Sequence, residues 1–347
     1  MRGASVFDLR SLQIPIVQAP MAGGPSTPAL AAAVAGAGGM GFLAAGYKTA
    51  EAVGRDIATL RRLSDAPFGV NIFSGSDDEA PPDVVAAYAR RLAGEAEHHG
   101  VSVGDPRFDD DAYGAKLGLV MRERVAVVSF TFGCPAAETV AALHDHDIAV
   151  WMTVTSPSEA ALAQDAGADA LVAQGTEAGG HRGYFSDDGE HEEYGLLVLL
   201  RLLGAQTALP LVATGGLMDG PGIAAALAAG ASAVQLGSAL MLTPEAGTSA
   251  PHRARLAVPG VTRLTRAFSG RTARGIVNRF MEEHDAEAPA AYPQVHHLTS
   301  PLRAAARAAG DAEAINLWAG EGHASAQARP AGELVRALAA EAEAARA

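Results

Sequence analysis

Short apolar runs punctuate the chain at intervals, and none of them alternates with polar residues. Each has about four to six residues, is rich in Val, Ile, Leu or Ala, and is bounded by Gly, Pro or Ser. This pattern is typical of parallel strands that are buried on both faces. The runs cover residues 14–19, 41–45, 68–73, 125–130, 149–154, 170–173, 211–213 and 233–236.

Between these runs lie Ala- and Leu-rich stretches with helical periodicity. Several begin with a proline near the first turn, at Pro28, Pro157 and Pro221, where a missing N–H costs nothing. Several are followed by a glycine suited to a left-handed cap. The predicted helices cover residues 28–35, 50–63, 136–144, 157–166, 196–203 and 221–229.

Strands alternating with helices from about residue 14 to 245 give roughly 29 residues for each strand–helix unit. Two pieces nearly repeat, residues 166–172 and residues 229–235, as expected when one unit recurs. We predict an α/β fold, a (β/α)8 TIM barrel. A doubly wound open sheet is the competing architecture.

Two segments exceed a minimal barrel. Residues 74–124, after the third strand, form a connection too long for one loop, and we predict an inserted subdomain or flap. We assign residues 1–247 to the barrel and residues 248–347 to a helical C-terminal region that packs beside or over the barrel mouth. Its expected helices are 264–283, 302–309 and 333–347, and we interpret the last dozen residues as a solvated helix that frays.

The composition narrows the class of protein. The chain has 347 residues and a net charge of −13, which disfavours binding to nucleic acid or to anionic lipid. A single cysteine, Cys134, excludes an internal disulfide and a Cys-clustered metal centre. No apolar run is long enough for a membrane span, and residues 1–10 lack the apolar segment of a secretory signal. We therefore expect a cytoplasmic protein.

Several motifs look functional but fit structural roles better. Residues 36–41 satisfy G-x-G-x-x-G, yet they close a helix instead of opening one, so we predict a turn. The His-Asp tract at 144–147 is placed at the opposite end of a barrel from its active face, and the pairs at 98–99 and 296–297 lack ligand spacing. We predict no metal site. Cys134 follows the fourth strand, where we expect it to line the wall of the site.

Glycine loops follow the seventh and eighth predicted strands, where barrels commonly hold a phosphate. Glycines allow backbone N–H groups to approach an anion, and the helix that follows supplies positive potential at its N-terminus. Tight turns without a ligand are the alternative reading of the same glycines. The candidate phosphate-binding residues are Thr214, Gly215, Gly216, Gln235, Leu236, Gly237 and Ser238.

The loop after the sixth strand, residues 174–183, places glycines around His181. Imidazole titrates near neutral pH, so His181 is our candidate for removing a proton from carbon. A small apolar loop after the first strand could underlie a planar ring, and the amide of Asn71 could bind its heteroatoms. A phosphate and a flat ring at this rim describe flavin mononucleotide (FMN). The further candidate FMN contacts in these loops are Ala19, Met21, Ala22, Gly179 and Gly180.

These motifs make the sequence resemble the nitronate monooxygenase family, once called 2-nitropropane dioxygenases, over nearly the whole chain. The most specific segment is QGTEAGGHRG at 174–183. The others are PIVQAPMAG at 15–23, FGVN at 68–71, VSFTFGCP at 128–135, ATGG at 213–216, QLGS at 235–238, RTAR at 271–274 and NLWAG at 316–320.

The resemblance implies an FMN-dependent barrel with His181 as catalytic base and FMN contacts at Asn71, Gln174, Gly179, Gly216 and residues 235–238. It implies oxidation of an alkyl nitronate or nitroalkane by O2 to an aldehyde or ketone with release of nitrite. One alternative is a flavin-dependent NAD(P)H reductase of quinones or enoyl thioesters. Another is a barrel that binds a phosphorylated metabolite without redox chemistry. We expect no nucleic-acid or membrane partner, and a homodimer is the oligomer to test.

Overall fold

A parallel barrel of eight strands forms the centre of the molecule. The computed structural model describes residues 7–74, 80–187, 189 and 191–347. Neighbouring strands pair in parallel in the order β1-β9-β8-β6-β5-β4-β3-β2. These strands are β1 (Ile16–Gln18), β2 (Gly41–Ala44), β3 (Phe68–Phe73), β4 (Val127–Thr131), β5 (Ala149–Val154), β6 (Ala170–Gln174), β8 (Leu211–Thr214) and β9 (Ala233–Leu236).

The barrel closes between its first and second strands. The N–H of Gln18 donates to the carbonyl of Met40 at 2.9 Å, and the N–H of Met40 donates to the carbonyl of Ile16 at 3.0 Å. The (β/α)8 prediction and its eight strands are therefore confirmed, and the open-sheet alternative is wrong, because an open sheet would leave these edges unpaired.

Helices surround the barrel and cover one end of it. They are α1 (Pro28–Gly36), α2 (Ala50–Leu63), α3 (Pro82–Arg91), α4 (Ala93–His98), α5 (Tyr113–Glu123), α6 (Ala137–His144), α7 (Pro157–Asp165), α8 (Leu196–Gln206), α9 (Gly220–Ala228), α10 (Ala250–Leu256), α11 (Arg279–His284), α12 (Gln294–Ala309) and α13 (Ala331–Arg346). Within the described ranges, none of the helices has both the length and the apolar character needed to cross a bilayer.

Local sequence signals fix several of these helix ends. Thr27, Ser156 and Asp219 each accept a hydrogen bond from a backbone N–H of the first turn that follows them. Gly167 and Gly230, predicted as left-handed caps, have φ of +99° and +115°. Asp219 moves the start of α9 to Gly220, one residue before the predicted start.

The end of the barrel at which the strands begin is plugged by side chains. Trp151, Phe42 and Val17 fill the interior, and Leu9 from the N-terminal segment packs against them. The opposite end, at which the strands finish, is therefore the end where a ligand can enter.

The last helix, α13, is not a solvated tail. It packs against α9 and α1, so it occupies the place in the helical ring that follows the last barrel strand. Leu334, Val335, Leu338 and Ala342 are at most 4% exposed and form its buried stripe. The interpretation of the last dozen residues as a frayed, solvated helix was wrong. The apolar side chains recur at the spacing of one helix face, and the many Ala and Glu residues around them conceal this pattern in the sequence.

Residues 264–283 are not the single helix that was predicted. They contain parts of β10 (Thr262–Thr265) and β11 (Ala273–Ile276), which pair antiparallel with each other, followed by α11. A turn at Gly270, with φ of +77°, interrupts the helical pattern. β11 also pairs with β7 (Gly180–His181), so this region builds a second small sheet directly at the predicted catalytic loop.

Within the segment 74–124, helices α3 and α4 share an apolar cluster with the C-terminal region, in which Tyr88 and Leu92 meet Phe268 and Leu298. Helix α5 packs instead on α2 and β3 as part of the barrel ring. Residues 75–79 of this segment lie outside the described residues. The predicted division of the chain at residue 247 stays a prediction.

Candidate active site

A cavity of about 500 Å³ opens where the barrel strands end. It brings together fourteen of the fifteen residues that the sequence nominated. Leu236 does not line it, because its side chain is 1% exposed and packs in the apolar core. The residues brought together are Ala19, Met21, Ala22, Asn71, Gln174, Gly179, Gly180, His181, Thr214, Gly215, Gly216, Gln235, Gly237 and Ser238.

The glycine rim, formed by residues 214–216 and 235–238, contains two positions whose backbone conformation favours glycine. Gly215 and Gly216 have φ of +139° and +65°, conformations that strain any residue with a side chain. The hydroxyl of Thr214 donates to the carbonyl of Gln235 at 3.0 Å and ties the two loops together. Helix α9 begins four residues after Gly216, so its positive end faces the same side of the barrel.

A segment from the C-terminal region closes over this rim. The N–H of Gly320 donates to the hydroxyl of Ser238 at 2.9 Å. Gly179 approaches the same segment so closely that a Cβ at this position would lie 2.3 Å from the nitrogen of Gly320. The rim therefore depends on residues contributed far along the chain, which the loop sequences alone could not reveal.

His181 occupies the cavity wall at the end of the short strand β7. Its Nε2 lies 2.8 Å from the hydroxyl oxygen of Ser269. Its ring contacts three aromatic rings edge-on or tilted, with centroid distances of 5.4 to 6.0 Å, which are those of Phe132, Tyr292 and Trp318. The pairing of β7 with β11 fixes the backbone of His181, and the contact with Ser269 fixes the position of its ring.

The environment of His181 keeps its imidazole neutral. Burial, together with the positive charges of Arg271 and Arg303, lowers the pKa of His181 to about 3. The sequence suggested titration near neutral pH, and the structure differs because two guanidinium groups from the C-terminal region lie close by. A neutral imidazole has one lone pair available to accept a proton.

Gln174 and Arg182 hold the loop that carries His181. The side-chain oxygen of Gln174 accepts hydrogen bonds from Arg182 Nη1 at 3.0 Å and from the N–H of Gly183 at 2.8 Å. Its side-chain nitrogen donates to the carbonyl of His181 at 3.1 Å. Arg182 is fully buried beneath the loop. Gln174 therefore fixes this loop as well as lining the cavity.

Asn71 presents its amide oxygen without a protein partner among the described residues. Its side-chain nitrogen donates to the carbonyl and the hydroxyl of Ser129, at 3.1 and 2.9 Å, and to the hydroxyl of Thr131 at 3.0 Å. These bonds turn the oxygen away from β4, so it is available to an N–H donor of a ligand.

Helix α12 supplies cavity residues that the sequence analysis missed. Among the described residues, Arg303 donates only to uncharged acceptors, which belong to Thr299, Asn316, His296 and Ser300. Its positive charge is therefore not neutralised by a hydrogen-bonded carboxylate. His296 stacks on Tyr47 with ring centroids 4.1 Å apart. Only the tertiary fold brings α12 to the barrel mouth, and its sequence resembles that of an ordinary amphipathic helix.

Three other features that the sequence singled out, the glycine motif at 36–41, His144 and Cys134, do not line the cavity. Residues 36–41 form the predicted turn between α1 and β2. His144 contacts Asp169 at 2.8 Å. Cys134 does not line the cavity, contrary to expectation, and its sulfur lies 3.7 Å from that of Met152 in the core. Burial raises the pKa of its thiol, which disfavours a nucleophilic role. The sequence placed Cys134 after the correct strand but could not show which way the side chain turns.

Together these features define a (β/α)8 barrel enzyme with a candidate ligand cavity at the carboxyl ends of the strands, lined by His181, His252 and His296. A sequence profile of the nitronate monooxygenase family matches residues 7–341. A nitronate monooxygenase of Pseudomonas aeruginosa is 43% identical over 95% of this chain and 96% of its own length. One from Paraburkholderia phytofirmans is 40% identical over 96% of this chain and 93% of its own length. The chain belongs to the nitronate monooxygenase family, as its motifs indicated.

A solved structure agrees with this assignment, and a more distant one shares the fold. A nitroalkane oxidase from Streptomyces ansochromogenes superposes with a TM-score of 0.94, at 52% identity over 97% of both chains. An enoyl reductase domain of MlnA from Bacillus amyloliquefaciens matches with a TM-score of 0.65 at 12% identity, over 96% of this chain and 95% of that one. The second likeness concerns the fold alone.

Proposed function

We propose that this enzyme uses FMN and O2 to oxidise alkyl nitronates, or the parent nitroalkanes, to an aldehyde or ketone with release of nitrite. One observation supports this proposal above the others: the ring of His181 and the glycine rim share one cavity. A site for an anionic group and a candidate base are therefore within reach of one bound ligand.

The residues of the cavity fit FMN. Gly215, Gly216 and Gly237, with Ser238, would hold the phosphate through backbone N–H groups and one hydroxyl. A Cβ at Gly237 would lie 3.6 Å from that of Ala19 and 3.8 Å from the sulfur of Met21, so Gly237 borders two other residues that line the cavity. The free amide oxygen of Asn71 would accept from the flavin ring. The flavin supplies electron-accepting chemistry that the side chains lack.

The chain itself contributes a base and a positive potential. The neutral imidazole of His181 can remove the proton from the carbon that carries the nitro group. Arg303, which lines the cavity, and Arg271, buried near His181, place positive charge near the nitronate anion, which this charge stabilises relative to the neutral nitroalkane. The aromatic rings around His181 exclude water from the reacting carbon. Each nitronate carbon gains one oxygen atom of O2 as its bond to nitrogen breaks and nitrite leaves, so one O2 oxidises two nitronates to two carbonyl products and two nitrite ions.

The role of His181 is tested by His181→Asn, with His146→Asn, in the turn that follows α6, as a matched control. We expect the His181 variant to retain FMN and to lose at least about 10²-fold in kcat/KM on a neutral nitroalkane, with a much smaller loss on the preformed nitronate. Oxygen uptake and nitrite release measure both reactions. Equal activity of parent and variant on the neutral nitroalkane would remove His181 from the mechanism.

The reductase alternative is tested on the parent enzyme. FMN-loaded protein is mixed without oxygen with NADH or NADPH, and the flavin absorbance is followed. The proposal predicts slow bleaching by either nucleotide and O2 uptake when nitronate is added in air. Rapid bleaching with no response to nitronate would overturn it in favour of an NAD(P)H reductase.

A further inference from the structure

The hydroxyl of Ser269 is the hydrogen-bond partner of the imidazole of His181. Ser269 is 2% exposed and lies in the loop between β10 and β11. Its oxygen is 2.8 Å from His181 Nε2 and 3.2 Å from the carbonyl oxygen of Arg271. The same loop is anchored by Asp187, which accepts hydrogen bonds from Arg266 and from the N–H and hydroxyl of Thr272.

The count of hydrogens decides which way these bonds run. A hydroxyl has one hydrogen to donate, and the carbonyl of Arg271 can only accept. If Ser269 donated to His181, the carbonyl of the buried residue Arg271 would have no other partner among the described residues. If Ser269 donates to that carbonyl, its oxygen accepts from His181 Nε2–H, and both bonds form. The second arrangement satisfies more buried polar groups and is favoured.

The other ring nitrogen of His181 is the one left for chemistry. Within the described part of the chain, Nδ1 makes no hydrogen bond and is not enclosed by protein atoms. Because His181 lines the cavity, an accessible Nδ1 opens into that cavity. With the proton on Nε2, Nδ1 carries the free lone pair of the neutral ring.

We propose that Ser269 is a positioning residue that keeps the proton of His181 on Nε2 and so presents Nδ1 to the substrate as the base. This inference rests on the proposed function for its kinetic meaning. In the step, the C–H bond breaks, its electron pair stays on the nitronate, and the proton binds to Nδ1. Nε2–H continues to donate to Ser269 throughout, so the ring does not rotate. Solvent removes the proton from Nδ1 after the product leaves.

The placement of the proton is tested on the FMN-loaded parent protein by NMR with ¹⁵N-labelled histidine at pH 8. The chain has eleven histidines, so the signals of His181 are assigned as those missing in His181→Asn. We expect a protonated Nε2 and an unprotonated Nδ1 in the parent, and a mixture of both forms in Ser269→Ala. A protonated Nδ1 in the parent, or identical signals in Ser269→Ala, would overturn the proposal.

Kinetics test the consequence. In Ser269→Ala we expect kcat on a neutral nitroalkane to fall about tenfold with KM unchanged, while turnover of a preformed nitronate stays close to that of the parent. Ser269→Thr, which keeps the hydroxyl, restores kcat. Ser74→Ala is the matched control, because Ser74 is also buried but its hydroxyl has no hydrogen-bond partner among the described residues. Equal losses on both substrates, or no rescue by threonine, would contradict the role.

The two experiments separate this inference from the proposed function. If the parent enzyme oxidises no nitronate, the proposed function fails, while the NMR experiment still decides whether Ser269 sets the proton on Nε2. If the parent is active but the NMR shows the proton on Nδ1, the function stands and the role of Ser269 is overturned.

Discussion

Replacing Gly179 by alanine tests whether the C-terminal segment completes the glycine rim. A Cβ at Gly179 would lie 2.3 Å from the nitrogen of Gly320 and 2.4 Å from the carbonyl carbon of Ala319. Ordinary contact distances are above about 3.4 Å, so the segment must move by roughly 1 Å. Both contacting atoms belong to the backbone and cannot be relieved by a side-chain rotation.

The cost follows from this geometry. Overpacking of this kind destabilises a protein by about 1–3 kcal/mol, which lowers the melting temperature of a chain of this size by a few degrees. Displacement of Gly320 also breaks its hydrogen bond to Ser238. A lost bond of this type costs about 0.5–1.5 kcal/mol, which corresponds to FMN binding weakened by roughly 2- to 13-fold.

Thermal melts and FMN titration followed by flavin fluorescence measure both effects. Gly36→Ala is the matched control, because a Cβ at this last residue of α1 would meet nothing within 4 Å. We expect the control to bind FMN as the parent does and to be equally or slightly more stable. If Gly179→Ala matches the parent in both melting temperature and FMN affinity, the claim that residues 319–320 complete the rim is refuted.

Three further predictions concern other parts of the molecule. Because the pKa of His181 is lowered to about 3, its imidazole stays neutral as the pH falls from 8 to 5, so kcat/KM on a neutral nitroalkane should show no inflection near 6.5. An inflection there that vanishes in His181→Asn would contradict this. Leu338→Ala should lower the free energy of unfolding by about 2–5 kcal/mol in denaturant titrations, whereas a solvated helix would lose less than about 0.5. Arg279 lowers the pKa of Glu95 to about 2, so their ion pair stabilises the folded state above about pH 4.5. This contribution to the free energy of unfolding is lost as the pH falls toward 2. Glu95→Gln should therefore lower the melting temperature at pH 7, and the difference from the parent should shrink near pH 3; a difference independent of pH would refute the ion pair.

The barrel could be predicted because its signals are local. Each strand is a continuous apolar run, and each cap depends on one residue beside the helix it ends, as with Ser156 and Gly167. The glycine loops and His181 were found because the carboxyl ends of parallel strands meet at one rim. The order of strands, helices and loops along the chain therefore predicted most of the fold and the residues at the centre of the candidate site.

What the sequence could not give depends on contacts between distant residues. Ser269 is 88 positions from His181, and no local pattern relates the two. Arg303 is one of several arginines, and only the docking of α12 over the barrel distinguishes it. The same reason explains α13, whose partners α1 and α9 precede it by more than a hundred residues. The strands β10 and β11 were missed because pairing with β7, and not their own propensity, holds them extended.

The absorbance spectrum of the purified protein, before and after incubation with FMN, tests the central claim most directly. After removal of free FMN, we expect the spectrum of bound flavin with one FMN per chain. We expect part of this bound flavin to be lost in Gly216→Val. In that variant a branched side chain would meet Glu177, at a backbone position with φ of +65°. A colourless protein that takes up no FMN, although folded by its melting curve, would contradict the account and favour a barrel that binds a phosphorylated metabolite without redox chemistry.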